Sequence, residues 1–415
     1  MKQRVVVYGS RDADGSWEMR DFLRINSVDF DWVEVGVDGG SAFGDGGAFS
    51  NASFPMLEFI EGDRLCAPTL NEVAQRLGFV TQPDLKEYDL SIYGAGPAGL
   101  SAAVYAASEG LRTVLIERRS VGGQAATTSL IENYMGFPDG INGAELAMRA
   151  KQQAEKFGVE LVMMQEGVRS SFHDDRIWTD LASGSSIVAR ANICATGVEW
   201  RSLDVPGQSR FLGRGVYFGA GASEASLCSG EDVCVVGGGN SAGQAAMHLS
   251  SHARSVTLLV RGATLSSSMS KYLSQRITAR ENIFVRYQTE VSAFVGDTLL
   301  EGVEVRNPLG QGRGVLTASR VFIAIGGAPN TDWTIGTDIM RDAGGYLVTG
   351  PDLLRSGRLP DCWSLQRSPY FLETSVPGSF AIGDVRHRSV KRVATAVGEG
   401  AMAVSFVHRY LEESL

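Results

Sequence analysis

The rhythm of apolar and polar positions changes several times along the chain, and each change marks an element. In "RVVVYG" apolar, β-branched residues run together, as in a buried strand. In "GSWEMRDFLRI" they recur at helical spacing through Trp17, Met19, Phe22 and Leu23. "DFDWVEV" alternates like a half-buried strand, and "GVDGGSAFGDGGAFSNAS" is a Gly- and Ser-rich loop. "FPMLEFIEG" predicts one further strand that turns at Glu61-Gly62-Asp63. "PTLNEVAQRLG" predicts a helix capped by Thr69 with Glu72 in the reciprocal position and stopped by Gly78. "FVTQPDLKE" reads as a linker.

After the linker the pattern becomes strand, tight turn, helix, strand. "YDLSIYGAGPAGLSAAVYAASEGLRTVLIERRSVGGQ" is one such unit and "EDVCVVGGGNSAGQAAMHLSSHARSVTLLVRG" a second, an internal architectural repeat. Later, "GRLPDCWSLQRSPYFLE" predicts an irregular insert before "TSVPGSFAIGDV". A long helix from about Thr395 to Leu411 follows.

Length and charge narrow this picture. A chain of 415 residues holds about two to four domains. A net charge of −9 argues against a nucleic-acid partner. No segment reads as a signal peptide or a membrane span, so no membrane partner is expected. The five cysteines, Cys66, Cys194, Cys228, Cys234 and Cys362, include no Cys-x-x-Cys pair. No disulfide framework or metal site is expected, and a reducing cytoplasm is the expected compartment.

The repeated units carry the candidate chemistry. Gly94-x-Gly96-x-x-Gly99 sits between strand and helix. Gly94 allows the tight turn, Gly96 lets a pyrophosphate approach the backbone, and Gly99 lets helix and strand pack closely. The pyrophosphate then meets the helix N-terminus, where N–H groups and the dipole favour anions. Glu117 ends the next strand and is placed to bind a ribose hydroxyl pair. Gly237-x-Gly239-x-x-Ala242 repeats the device, but its second strand ends at Val260-Arg261 with no acid. Arg261 favours an adenosine 2′-phosphate, hence NADP over NAD. Two dinucleotide folds imply two dinucleotides: a flavin held permanently and a nicotinamide that comes and goes.

The segments "YGAGPAGLSAAVYAASEGL", "VGGQAATTSLIENYMGFP", "ATGVEWRSLDVPG", "GRGVYF", "VVGGGNSAGQAA", "AIGGAPNT" and "TSVPGSFAIGDV…KRVATAVGEGAMAV" resemble, in order, the low-molecular-weight thioredoxin reductases, from about Tyr88 to the C-terminus. The resemblance implies an α/β fold with an FAD-binding domain split over 85–200 and 329–415, an NAD(P)-binding domain inserted at 201–328, and a homodimer. It implies FAD roles for Gly94, Gly96, Gly99, Glu117, Gln124, Asn133 and Asp384, the last accepting a hydrogen bond from the ribityl chain. Lys391, Arg392 and Val393 lie where the family has an Arg-Gln-Ala run near the flavin. Roles toward NADPH fall on Gly237, Gly239, Ala242 and Arg261; the family's second Arg is here Gly262. Residues 1–82 resemble a small glutaredoxin or thioredoxin-like domain. Its redox pair would fall on Ala13 and Ser16, and Phe54-Pro55 matches the place of a cis-proline.

The reductase pair would fall on Gly219 and Ala222, so neither region supplies the thiolate and resolving thiol that disulfide exchange needs. Small residues there would leave room beside the flavin for a small organic molecule or oxygen, with Tyr217, Phe218 and Ser223 lining it. Glu224 would be the general acid, and His387 a proton shuttle. The plainer alternatives are a solvated carboxylate at a helix N-terminus for Glu224 and a surface imidazole between Arg386 and Arg388 for His387. Three functions follow. The first is an FAD enzyme reduced by NADPH that passes electrons to a small molecule, oxygen or a redox protein, as in the reductase-type ferredoxin–NADP reductases, which also lack the pair. The second is a non-catalytic, flavin-bearing binding or regulatory protein that docks a partner through its thioredoxin-like part. The third is a residual disulfide reductase using Cys228, whose plainer reading, with Cys234, is a small buried hydrophobe.

Overall fold

The computed structural model describes residues 5–10, 15–26, 28–35, 54–126, 128, 131, 133–173, 175–218, 225, 228–310 and 312–413. The N-terminal strands form a sheet in the order Phe30–Glu34, Val5–Gly9, Met56–Phe59, Arg64–Cys66. The first pair is parallel and the others antiparallel. Val5 and Val7 face a core with Met19, Phe22 and Leu23 of the helix Ser16–Ile25, as period-2 alternation requires. Thr69 and Glu72 close a reciprocal cap, with Glu72 Oε2 accepting from the Thr69 backbone N–H at 2.7 Å. The Phe54-Pro55 peptide is cis.

Two expectations need revising here. The single strand expected after the loop is a hairpin, because the chain reverses at Gly62 (φ +88°) and Arg64–Cys66 pairs back along Met56–Glu58. The expected linker is also bonded into the fold. The Val80 carbonyl accepts from Met163 N at 2.7 Å, and the Thr81 carbonyl from Gln165 Nε2 at 3.0 Å. The strand Glu160–Met163 that it borders ends the path of the next sheet.

That sheet has seven strands, in the order Glu160–Met163, Thr113–Glu117, Glu87–Tyr93, Ser186–Cys194, Arg176–Leu181, Gly167–His173, with Ser379–Ala381 pairing in parallel with Ser186–Cys194. Thr113–Glu117 is buried at every position, as a parallel strand covered on both faces should be. The helices Pro97–Ser108 and Val393–Glu413 cross closely on this sheet. A Cβ on Gly400 would stand 2.5 Å from the Ala98 carbonyl oxygen, so glycine sets their approach.

A five-stranded parallel sheet runs Val216–Phe218, Arg320–Ile323, Asp232–Val236, Ser255–Leu259, Ile283–Arg286, beside an antiparallel three-stranded sheet at 290–317. Between the seven-stranded sheet, mixed because its last two pairings are antiparallel, and the five-stranded one the chain crosses at Val198–Trp200 and returns at Gly327–Pro329, and these two short strands pair with each other. The two repeated units are fastened alike at the base: Arg112 bridges to Asp89 and Arg254 to Asp232. The stretch 357–373 holds no helix or strand, as expected, and the last helix starts at Val393. Among the described residues no helix is long and apolar enough to cross a membrane.

Candidate functional site

The first glycine turn has the geometry its residue types require. Gly94 adopts φ +100°, and a Cβ there would lie 2.5 Å from the Ala195 carbonyl oxygen. A Cβ on Gly99 would lie 1.9 Å from the Gly94 carbonyl oxygen, so that helix and turn touch backbone to backbone. Gly96 faces open space. The helix that follows has Pro97 in its first turn and no side-chain cap at Gly96, which leaves its leading N–H groups for an anion. Glu117 accepts from Ala95 N at 2.8 Å, Arg119 N at 2.8 Å and Ser120 N at 3.2 Å. Burial pushes its carboxyl above the usual range against the pull of those N–H groups.

Gly94, Gly96, Pro97, Glu117, Arg119 and Ser120 line a cavity of about 1500 Å³ that also reaches Asp384, Lys391, Arg392 and Val393. Asp384 sits in the turn after Ser379–Ala381, and among the described residues its carboxylate has no hydrogen-bond partner. Burial pushes that carboxyl up, while nearby Lys391 draws it down. Lys391 Nζ donates to the Asp384 carbonyl at 2.8 Å. Gln124 also lines the cavity and donates to the Val198 carbonyl at 2.7 Å. A partnerless acceptor, an uncapped helix start and the free space over Gly96 suit a ligand with hydroxyls and a pyrophosphate, the chemistry of FAD.

Sequence reading missed the brace beneath this turn. Glu399, 4% exposed, accepts from Gly383 N at 2.7 Å and from Arg386 Nη2 at 2.5 Å. The only signal was a glutamate set among small residues in "AVGEGAMAV". Two expected residues lie elsewhere. Asn133 is exposed and off the cavity wall. His387 also lies off the wall, because its Nδ1 is held 2.6 Å from Asp342 Oδ2. Gly219, Ala222, Ser223 and Glu224, like Ala13, lie outside the described residues.

The second turn repeats the backbone of the first. Gly237 has φ +144°, a Cβ on it would meet the Ala324 carbonyl oxygen at 2.3 Å, and Ala242 is fully buried. Yet Gly237, Gly239 and Arg261 do not line the cavity, and Arg261 is exposed. The helix Asn240–Leu249 instead turns its flank to the cavity through Ser241, Gln244 and His248. Tyr217 and Phe218 line it too, and Tyr217 stacks on Phe322 at 5.5 Å.

None of the five cysteines lines the cavity. Cys194, Cys228 and Cys234 are at most 2% exposed. Burial pushes the Cys194 thiol up to about 11 and the Cys234 thiol to about 12. Thiolates at neutral pH are therefore scarce at both positions.

A family model described as pyridine nucleotide-disulphide oxidoreductase matches residues 88–400. The chain is 33% identical over 326 residues to thioredoxin reductase of Treponema pallidum, covering 79% of this chain and 98% of that protein. It is 34% identical over 331 residues to thioredoxin reductase of Mycolicibacterium smegmatis, covering 79% and 97%. Among solved structures, thioredoxin reductase of Lactococcus lactis in its FR conformation superposes with a TM-score of 0.68 at 29% identity, over 79% of this chain and 99% of that one. That of T. acidophilum gives 0.68 at 27%, over 80% and 100%.

Proposed function

The chain belongs to the pyridine nucleotide-disulphide oxidoreductase family, and within it we propose an FAD-dependent oxidoreductase of thioredoxin reductase-like fold that moves electrons without thiols. The observation that carries the reading is the sequence around the flavin site. The resembled reductases have a cysteine pair where this chain has Gly219 and Ala222, and every cysteine it does have stands away from the cavity. The resemblance assigns the segments around 85–200 and 329–415 to FAD and the insert at 201–328 to NADPH.

Bound flavin would supply two-electron exchange with a nicotinamide; the rest is the work of this chain's residues. The turn Gly94–Gly99 would seat the pyrophosphate, Glu117 the adenosine ribose, and Asp384 the ribityl hydroxyls. Lys391 would place a positive charge beside Asp384, and Glu399 with Arg386 would hold that turn still. Arg261 would select the 2′-phosphate of NADPH. The acceptor would be a small molecule, oxygen or a redox protein. The N-terminal module is read as glutaredoxin-like, a reading its four-stranded sheet supports, and it carries no thiol pair.

The test is anaerobic titration of the purified yellow protein with NADPH and NADH, followed by assay with a dithiol acceptor. The flavin should bleach with NADPH first, and disulfide turnover should be absent. Turnover of a disulfide at enzyme-like rates would refute the reading. One observation favours a second reading, a flavin-bearing binding or regulatory protein. In this arrangement the second glycine turn and Arg261 do not share the first turn's cavity. Failure of either nicotinamide to bleach the flavin would select that reading.

A further inference from the structure

The helix Ser16–Ile25 has two working faces, one buried in its own module and one that meets the rest of the molecule with Asp21 buried on it. Met19, Phe22 and Leu23 enter the core of their own module. Trp17, Asp21, Arg24 and Ile25, spaced as one helical stripe, line the large cavity together with Glu117 and Asp384. A module that merely trailed from the rest would have no reason to bury a carboxylate on its outward stripe, as this one does at Asp21.

Asp21 is 7% exposed, and a buried carboxylate is costly unless charges answer it. Two do: Arg24 on its own helix, and Arg119, whose Nη2 stands 2.5 Å away on the other side of the module boundary. Arg119 belongs to the turn that positions Glu117, because its backbone N–H donates to Glu117 Oε1. Its carbonyl accepts from Asn26 Nδ2 at 3.3 Å. On the far side, Trp17 packs closely against Gly213 of the inserted unit. A Cβ on Gly213 would fall 2.2 Å from the indole Cγ.

We propose that the N-terminal module is a fixed wall of the FAD site, covering its adenosine end, and that Asp21 is the positioning residue that fastens it through Arg119 to the turn bearing Glu117. The module thus serves to retain the cofactor and does not relay electrons. This rests on the reading that Glu117 holds the adenosine ribose of FAD.

The test uses the full chain with Asp21→Asn, Arg119→Ala and the double substitution, each loaded with FAD. Release of FAD is followed by flavin fluorescence on dilution, and thermal unfolding of the apoproteins reports on folding. Each single variant should release FAD on the order of ten-fold faster than the wild type, the loss expected for one charge-assisted contact. The double variant should be no worse than the singles, since both remove the same contact. If Asp21→Asn lowers apoprotein stability, Trp17→Leu takes its place and should also speed release. Wild-type-like release from every variant would overturn the wall while leaving the flavin reading intact. A wild-type protein that takes up no FAD would remove the flavin reading, and the wall with it.

Discussion

The two glycine turns are built to one plan and sit in different surroundings. Both bend at a glycine of positive φ packed against a neighbouring carbonyl, and both strands are fastened at the base by an Asp–Arg bridge. The first faces a deep cavity with a buried acid at its end, shares that cavity with the Asp384 turn braced by the Glu399–Arg386 pair, and is flanked by a third module. The second ends in an exposed arginine. A ligand held permanently needs walls, whereas a ligand that must leave needs an open face and one selective charge. The glycine motif supplies the backbone in both cases; the residues around it decide residence time.

The largest test of this contrast is Glu399→Ala, which strands Arg386 in the interior. Loss of roughly 3–5 kcal/mol in urea unfolding is expected, together with loss of flavin. Next comes Gly99→Ala, whose new Cβ would collide with the Gly94 carbonyl. It should cost roughly 1–3 kcal/mol, whereas the second turn already carries Ala242 at the matching place. Arg261→Ala should raise KM for NADPH on the order of ten-fold and leave flavin content unchanged; an equal rise for NADH would deny the 2′-phosphate role.

The smallest effect is at the exposed base of the second unit. Side-chain hydrogen bonds from Arg254 and then Ser255 hold the Asp232 carboxyl down at about 2. A depressed carboxyl adds stability above its unfolded value near 3.9, and that contribution disappears as pH falls through the folded value. Solvent screening keeps it below about 1 kcal/mol. Arg254→Ala should therefore remove a fraction of a kcal/mol at pH 7 and little at pH 2, read from acid unfolding curves.

Local rules made much of this legible in the sequence. The Thr69–Glu72 cap, both glycine turns and the buried strand ending at Glu117 each depend on residues a few positions apart. Arg64–Cys66 was not visible, since three residues carry no period and their pairing comes from the turn at Gly62. His387 was misplaced because its partner Asp342 is distant in the chain. Asp21 and Arg119 stand 98 positions apart, and no local pattern pairs them before folding sets them together. What is fixed by neighbours in sequence can be read there; what is fixed by neighbours in space cannot.

The segment joining the first module to the second has a practical consequence. Through the Val80 carbonyl it occupies backbone on the Glu160–Met163 strand. Shortening the chain to begin beyond that segment would bare a flank able to recruit another copy, as unprotected sheet margins do. A dissected protein that keeps residues 79–82 should stay dispersed where one lacking them clumps, so the seam is better treated as part of the larger body than as spare string.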